Sequence, residues 1–279
     1  MSSRQQSPAP VATRAIDSWV NVDMDEWGDP DWMVKVAYEY FHGDMSCLRS
    51  CDLSEVIDTM NANGVDHAIL DLNVHAPSKH TLSFVEAEPE RFSLAARLDP
   101  TTMMAGVRLL RDAAASMPVV MARVIPFMHD LAPNHRAYYP VYAACVDLDL
   151  PISINAGIPG PPVPGECQNP IHLDRVCLDF PDLTIVMAHG ADPWWDIAIR
   201  LMIKYPRLHL MTSAWRPKYL PAELLHFMCT RGRDRILWAS DHPMLTIGRC
   251  LPDAYALDLP DDVLEAYLAG NARRVLLKR

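Results

Sequence analysis

Two stretches of this sequence end in residues that can move protons. Leu183–Pro193 reads LTIVMAHGADP, an apolar, partly β-branched run that stops at His189, Gly190, Ala191, Asp192 and Pro193. The same pattern returns at Ile236–Ser240, which runs into Asp241, His242 and Pro243. Each reads as a buried strand that delivers one ionisable side chain at its C-terminal end. As a histidine, His189 is expected to be able to shuttle a proton near neutral pH. Asp241 can act as a general base on a water or on a substrate C–H or O–H. Alternatively, it can orient His189 and stabilise its imidazolium. Strands commonly end in polar residues for structural reasons, so neither residue alone defines a site. The pair, at the ends of two apolar strands, points to one face of a parallel barrel.

The rest of the chain supplies the other strands. Ala15–Val22, Val65–Leu72, Phe92–Leu98, Val119–Pro126, Pro151–Ala156 and Leu208–Ala214 are apolar runs at roughly thirty-residue spacing, as expected for strands buried on both faces. Helical patterns lie between them: Ser54 as an N-cap with Gly64 as terminator, then Pro77–Glu88, Thr101–Ala115, Tyr138–Leu148, Ile171–Asp179, Trp194–Lys204 and Pro221–Thr230, with Asp261–Leu276 closing the series. This alternation predicts a single (β/α)8 barrel over residues 14–279. An open doubly wound sheet is the competing architecture, but neither G-x-G-x-x-G nor G-x-x-x-x-G-K-[ST] is present, which disfavours nucleotide binding. An acidic, aromatic segment at about 23–52 is too long for a turn. It predicts an insertion with a short helix near Trp32–Phe41, lying over the strand ends like a lid. The loop 157–170 carries five prolines and should be stiff. Residues 1–13 are rich in Ser, Gln and Pro and read as a disordered tail.

Composition narrows the function classes. Half of the 279 residues are hydrophobic and 22% are charged, ordinary for a globular chain. A net charge of −10 disfavours nucleic acid and anionic membranes as partners. No apolar run is long enough to span a bilayer, and the N-terminus has no apolar core of a secretion signal. Seven irregularly spaced cysteines without C-x-x-C argue against a disulfide framework or zinc knuckle, and for a reducing, cytoplasmic setting.

Three strings carry a family resemblance: HLDRVCLDFPDLTIVMAHGADPWWD, ASDHP and GNARRVLL. NGVDHAIL, AEPERFSLAARLDP and YYPVYAACVDLDLPISINAG fit the same pattern. Together they resemble the amidohydrolase superfamily, and within it the branch of aminocarboxymuconate-semialdehyde decarboxylase, resorcylate-type decarboxylases and 2-pyrone-4,6-dicarboxylate lactonase. The resemblance implies a metal held by an H-x-H on the first strand, a His ending strand five, a His on strand six and an Asp on strand eight. This sequence keeps the last two as His189 and Asp241. It has Trp19, Val20 and Asn21 at the H-x-H position, and Asn155 at the end of strand five. Catalytic zinc ordinarily takes three protein ligands; Trp donates no lone pair to a metal, and Asn is a poor zinc ligand. The expectation is therefore no tightly bound metal and no cofactor, with a weakly held divalent metal on a rebuilt site left open. Other histidines near the mouth (His75, His129, His172, His242) stand where the family places no ligand.

The remaining groups suggest a substrate. Asn21 and Asn155 can donate to an oxygen that gains negative charge. Arg123, the one charged residue of strand four, is a candidate partner for a substrate carboxylate, with a structural ion pair the equal alternative. His75 and His242 are further candidate contacts. Trp19 and Trp215 suit an aromatic or apolar ring, whereas Trp194 and Trp195 read more as packing. The resulting expectation is a metal-independent enzyme acting by His189/Asp241 acid–base chemistry on a small apolar or aromatic carboxylate, lactone or amide, with hydrolysis ahead of decarboxylation. The resemblance includes a lactonase without a metal, and its decarboxylases generally use one. A non-catalytic binding homologue is the alternative of another class. Homodimerisation is plausible from the resemblance alone.

Overall fold

In the computed structural model, residues 14–28, 31–42 and 45–278 are described; the expected disordered tail at 1–13 lies outside them. Eight parallel strands follow one another in chain order: β1 (Ala15–Val20), β2 (Val65–Asn73), β3 (Phe92–Arg97), β4 (Val119–Val124), β5 (Ile152–Asn155), β6 (Ile185–Ala188), β7 (Leu208–Met211) and β8 (Ile236–Leu237). The helices α1 (Asp31–Lys35), α2 (Leu53–Asn63), α3 (Lys79–Ala87), α4 (Met104–Ser116), α5 (Tyr139–Asp147), α6 (His172–Asp179), α7 (Trp195–Lys204), α8 (Ala222–Met228), α9 (Ile247–Tyr255) and α10 (Asp261–Glu265) fall between and after them. This is the (β/α)8 barrel that the alternation predicts. No helix among the described residues is long and apolar enough to cross a membrane.

Each strand divides its side chains between two apolar layers, as the two-residue pleat requires. Ile69, Ala95, Met121, Val186 and Leu237 point into the barrel, where the C-terminal segment adds Ala269, Ala272, Val275 and Leu276. Leu70, Leu94, Ala122, Ile185 and Ile236 pack outward against the helices. Inward positions thus form a filled core rather than a channel, and a ligand has room only above it, at the C-terminal strand ends.

The barrel closes at a seam between β8 and β1. Asn21 N donates to His242 O (2.7 Å), Asp241 N to Trp19 O (3.1 Å), and Ser18 N more loosely to Trp238 O (3.4 Å). The regular β8 ladder, Ile236–Leu237, is shorter than the expected Arg235–Asp241: beyond it Trp238 N donates to Tyr267 O (3.0 Å), and Ala214 N reaches Ser240 O only loosely (3.3 Å). Buried Asp17 ties the seam from below, accepting from Trp19 N (3.2 Å) and Ser240 N (2.9 Å). Other bounds also shift. The residue flanking α2 is Asp52 rather than Ser54. The closing helix loosens after α10 into wider turns at Ala266–Gly270 and Arg273–Leu277.

The inserted segment covers the mouth with a small core of its own. Met24, Met33, Ala37, Cys47 and Leu48 are buried together, with Trp27, Trp32 and Met244 against them. An ion-pair chain fastens it to the barrel: Glu26 pairs with Arg97 on β3, whose Nε donates to Asp71 on β2 (2.7 Å).

Candidate active site

His189 and Asp241 both face one cavity at the C-terminal strand ends. Neither is held there cheaply. Their φ values are +65° and +75°, and Ala214, just beyond β7, is at +63°. Left-handed backbone at non-glycine residues costs on the order of 1–3 kcal/mol each and persists where the surroundings over-determine it. At His189 the determinant is local. Ser213 Oγ accepts from the His189 backbone N–H (3.0 Å) and lies 2.8 Å from ring Nδ1. The Trp215 indole donates to the His189 carbonyl (3.0 Å). Gly190 follows because no side chain fits: a Cβ there would lie 2.4 Å from the Trp195 ring.

Asp241 has a different partner. Asn21 Nδ2 donates to its Oδ1 (3.0 Å). No hydrogen bond links Asp241 to His189, so the orienting role expected of Asp241 belongs to Ser213. Burial dominates both acid–base groups. It pushes Asp241 up to about 8, against the Asn21 hydrogen bond and the Arg123 charge. It pushes His189 down to about 3, with the Arg123 charge acting in the same direction. Burial thus favours the carboxylic acid at Asp241 and the uncharged imidazole at His189, a proton donor beside a proton acceptor.

The cavity encloses about 910 Å³, part of it open to solvent. Its floor holds Trp19, Asn21, Asn155, His189 and Asp241; Trp27, Trp32, Met33, Val36 and Tyr40 of the inserted segment cover it, and Trp215 and Phe127 form walls. Trp19, Asn21, Asn155 and Trp215 thus stand where the sequence places them. Trp194 and Trp195 do not line the cavity; Trp195 packs edge-on against Trp215 at 5.5 Å between ring centroids.

Three expected contacts are corrected. Arg123 is fully buried and does not line this cavity. Its guanidinium lies 3.2 Å from the Trp19 ring centroid and donates to Asp71 Oδ1 (2.8 Å), so the structural ion pair is the role it has. His75 is exposed, and its Nε2 accepts from Asp99 N, away from the cavity. His242 turns outward at the seam, with Nε2 3.6 Å from Cys51 Sγ, and its ring does not reach the cavity. Two contributors went unseen in the sequence. Ser213 lies two residues beyond the last β7 ladder residue and carries no motif. Gln168, in the proline-rich loop, lines the cavity while its Nε2 donates to Gly157 O (2.8 Å); its neighbourhood of turn residues gives no sign of this.

The residues at the mouth do not fit the divalent metal that the family implies. Among the described residues no three His, Cys, Asp or Glu side chains converge. The indole of Trp19 fills the H-x-H position, with the Arg123 cation directly beneath it, so a metal there would meet positive charge in place of two ligands.

A parallel barrel with a proton donor and acceptor at its C-terminal mouth has the architecture of (β/α)8 enzymes. The amidohydrolase family model matches residues 65–277, and the chain belongs to that family. The match begins after β1, which carries Trp19 and ends just before Asn21. No curated protein sequence matches. Among solved structures, an uncharacterised TIM-barrel protein from Bordetella bronchiseptica is similar at 22% identity and TM-score 0.80, covering 94% of this chain and 97% of that one. The 5-carboxyvanillate decarboxylase of Sphingomonas paucimobilis follows at 18% and 0.72, covering 95% and 99%. The 2,6-dihydroxybenzoate decarboxylase of Rhizobium is at 18% and 0.67, covering 94% and 97%. At these identities the likeness is one of fold.

Proposed function

We propose that this chain is a metal-independent enzyme that hydrolyses a small apolar or aromatic ring ester or amide, a lactone first, by paired acid–base catalysis. The observation that carries the reading is that His189 and Asp241 face one aromatic cavity, where burial favours the neutral imidazole and the protonated acid. His189 takes a proton from the attacking water. The water oxygen bonds to the substrate carbonyl carbon, and Asp241 gives its proton to the oxygen or nitrogen that leaves. With Oδ1 engaged by Asn21, Oδ2 carries that proton. The pair ends as imidazolium and carboxylate, and one proton passing back restores it. Hydrolysis of a lactone yields a hydroxy acid. Its carboxylate meets no cation in the cavity, which favours release.

Decarboxylation is the second reading. It is favoured by the similarity to the two decarboxylases and by an acid placed to protonate a carbon. The test is turnover of lactones, amides and hydroxylated aromatic carboxylates with and without chelator, in wild type, His189→Ala and Asp241→Asn. Chelator-resistant ring opening that both substitutions abolish supports the proposal. Carbon dioxide release that needs added metal contradicts it. Loss of stability alone in both variants, with no turnover by wild type, would leave a binding protein.

A further inference from the structure

Three residues that line the cavity carry buried polar atoms that the protein leaves without a partner. Asn155 Oδ1, Gln168 Oε1 and Trp19 Nε1 are all buried and make no hydrogen bond, and their residues line the cavity at 2%, 3% and 3% exposure. Buried polar groups are nearly always satisfied, and leaving one unmet carries the full desolvation penalty. Asn155 ends β5. Gln168 is clamped to Gly157, two residues further on, by Nε2 to Gly157 O (2.8 Å) and by Gly157 N to its own carbonyl (3.1 Å). That clamp engages the Gln168 amide nitrogen and leaves the amide oxygen unbonded. The protein therefore offers two carbonyl-type acceptors and one indole donor.

The same cavity has no lysine or arginine in its lining. The nearby cation, Arg123, is sealed under the Trp19 ring and shared with Asp71. A carboxylate placed here would lose its water, meet amide oxygens and find no counter-charge. Resting on the hydrolytic reading above, we infer that the substrate enters uncharged: a flat aromatic or heteroaromatic ring with an N–H or O–H donor for Asn155 and Gln168 and an acceptor for the Trp19 indole. The aromatic cover supplied by Trp27 and Trp32, with Trp215 beside it, suits the faces of such a ring. Selection is then against the charge of the product and of ring carboxylates.

The test uses one matched pair of probes, naphthalene-2-carboxamide and naphthalene-2-carboxylate. They have the same shape and differ in charge and in the N–H donor. Binding to the wild-type protein is read at pH 7 by calorimetry and by quenching of the cavity tryptophans. The carboxamide is expected to bind at least ~10-fold more tightly. That preference should collapse in Asn155→Leu and Gln168→Leu variants whose thermal unfolding matches wild type. Equal binding, tighter carboxylate binding, or no binding of either probe to wild type overturns the inference without needing a variant. Carboxylate preference in a metal-free, His189-dependent enzyme would overturn this inference and leave the hydrolytic reading standing; a stoichiometric metal would overturn the hydrolytic reading and, by supplying a counter-charge, this inference with it.

Discussion

The two sides of the barrel mouth are built by different rules. On the β6–β8 side the chain keeps the family's His189 and Asp241, and it holds them, with Ala214, in left-handed backbone. On the β1–β5 side the ligand positions hold Trp19, Asn21 and Asn155, all in ordinary backbone, with Arg123 beneath. One side keeps its reactive groups despite a local cost; the other replaces metal ligands with shape and amide dipoles. Strain maintained at three strand ends that face a single cavity is what a working site shows. The rebuilt side then tempers the charge that burial sets: the Asn21 hydrogen bond and the Arg123 charge oppose the proton on Asp241, while Arg123 also disfavours a proton on His189, whose ring lies tilted 4.4 Å from the Trp19 indole.

The largest effect that could break this contrast is in turnover. His189→Ala and Asp241→Asn should each cost about 10²–10⁴-fold in kcat while the barrel stays folded. The pH profile sharpens the point. The proposed mechanism requires Asp241 protonated and His189 neutral, so turnover should hold between about 3 and about 8, then fall as Asp241 ionises. Stability carries the same signature. The folded state keeps the Asp241 proton that the unfolded chain releases, so this residue's contribution declines as pH rises from about 4 to about 8. Asp241→Asn should therefore gain stability relative to wild type at pH 8, measured by denaturant unfolding. A wild-type acid limb near 4 would mean that Asp241 works as an ionised base.

Next comes the charge beneath Trp19. Arg123→Met leaves a buried carboxylate short of one partner and should destabilise by about 3–5 kcal/mol. Asp71→Asn combined with Arg123→Met should recover part of that loss in the same unfolding assay. If Arg123→Met is harmless, the rebuilt side is not the electrostatic unit described. Ser213→Ala removes the imidazole's orienting partner and should lower kcat about 10-fold with little change in unfolding. Smallest is Ala214→Gly, which relieves one left-handed residue and should stabilise by about 1 kcal/mol or less.

Much of this was legible in the sequence because strand runs and their terminal residues are local patterns. His189 and Asp241 follow from where a strand stops, Trp19, Asn21 and Asn155 from the family resemblance, and Trp215 from the aromatic residues at the loop mouths. Arg123 did not, because its role depends on register: Arg97 and Arg123 are paired across β3 and β4, and both reach Asp71 on β2. His242 was misplaced because its backbone is committed to the seam, which turns the ring away. Helix α9 was unassigned; Gly248 and Pro252 lie within it, and both weaken a helical pattern. Ser213 and Gln168 matter through one hydrogen bond or one unmet oxygen, and neither leaves a periodic trace.

The central claim is that a neutral acid–base pair stands where the family uses a metal. Its most direct test is the metal stoichiometry of untagged protein, by elemental analysis, after equilibration with zinc or manganese and removal of unbound ion. The account predicts far less than one equivalent per chain and unchanged turnover afterwards. About one tightly held equivalent, as a catalytic site with its full ligand set retains, would contradict it.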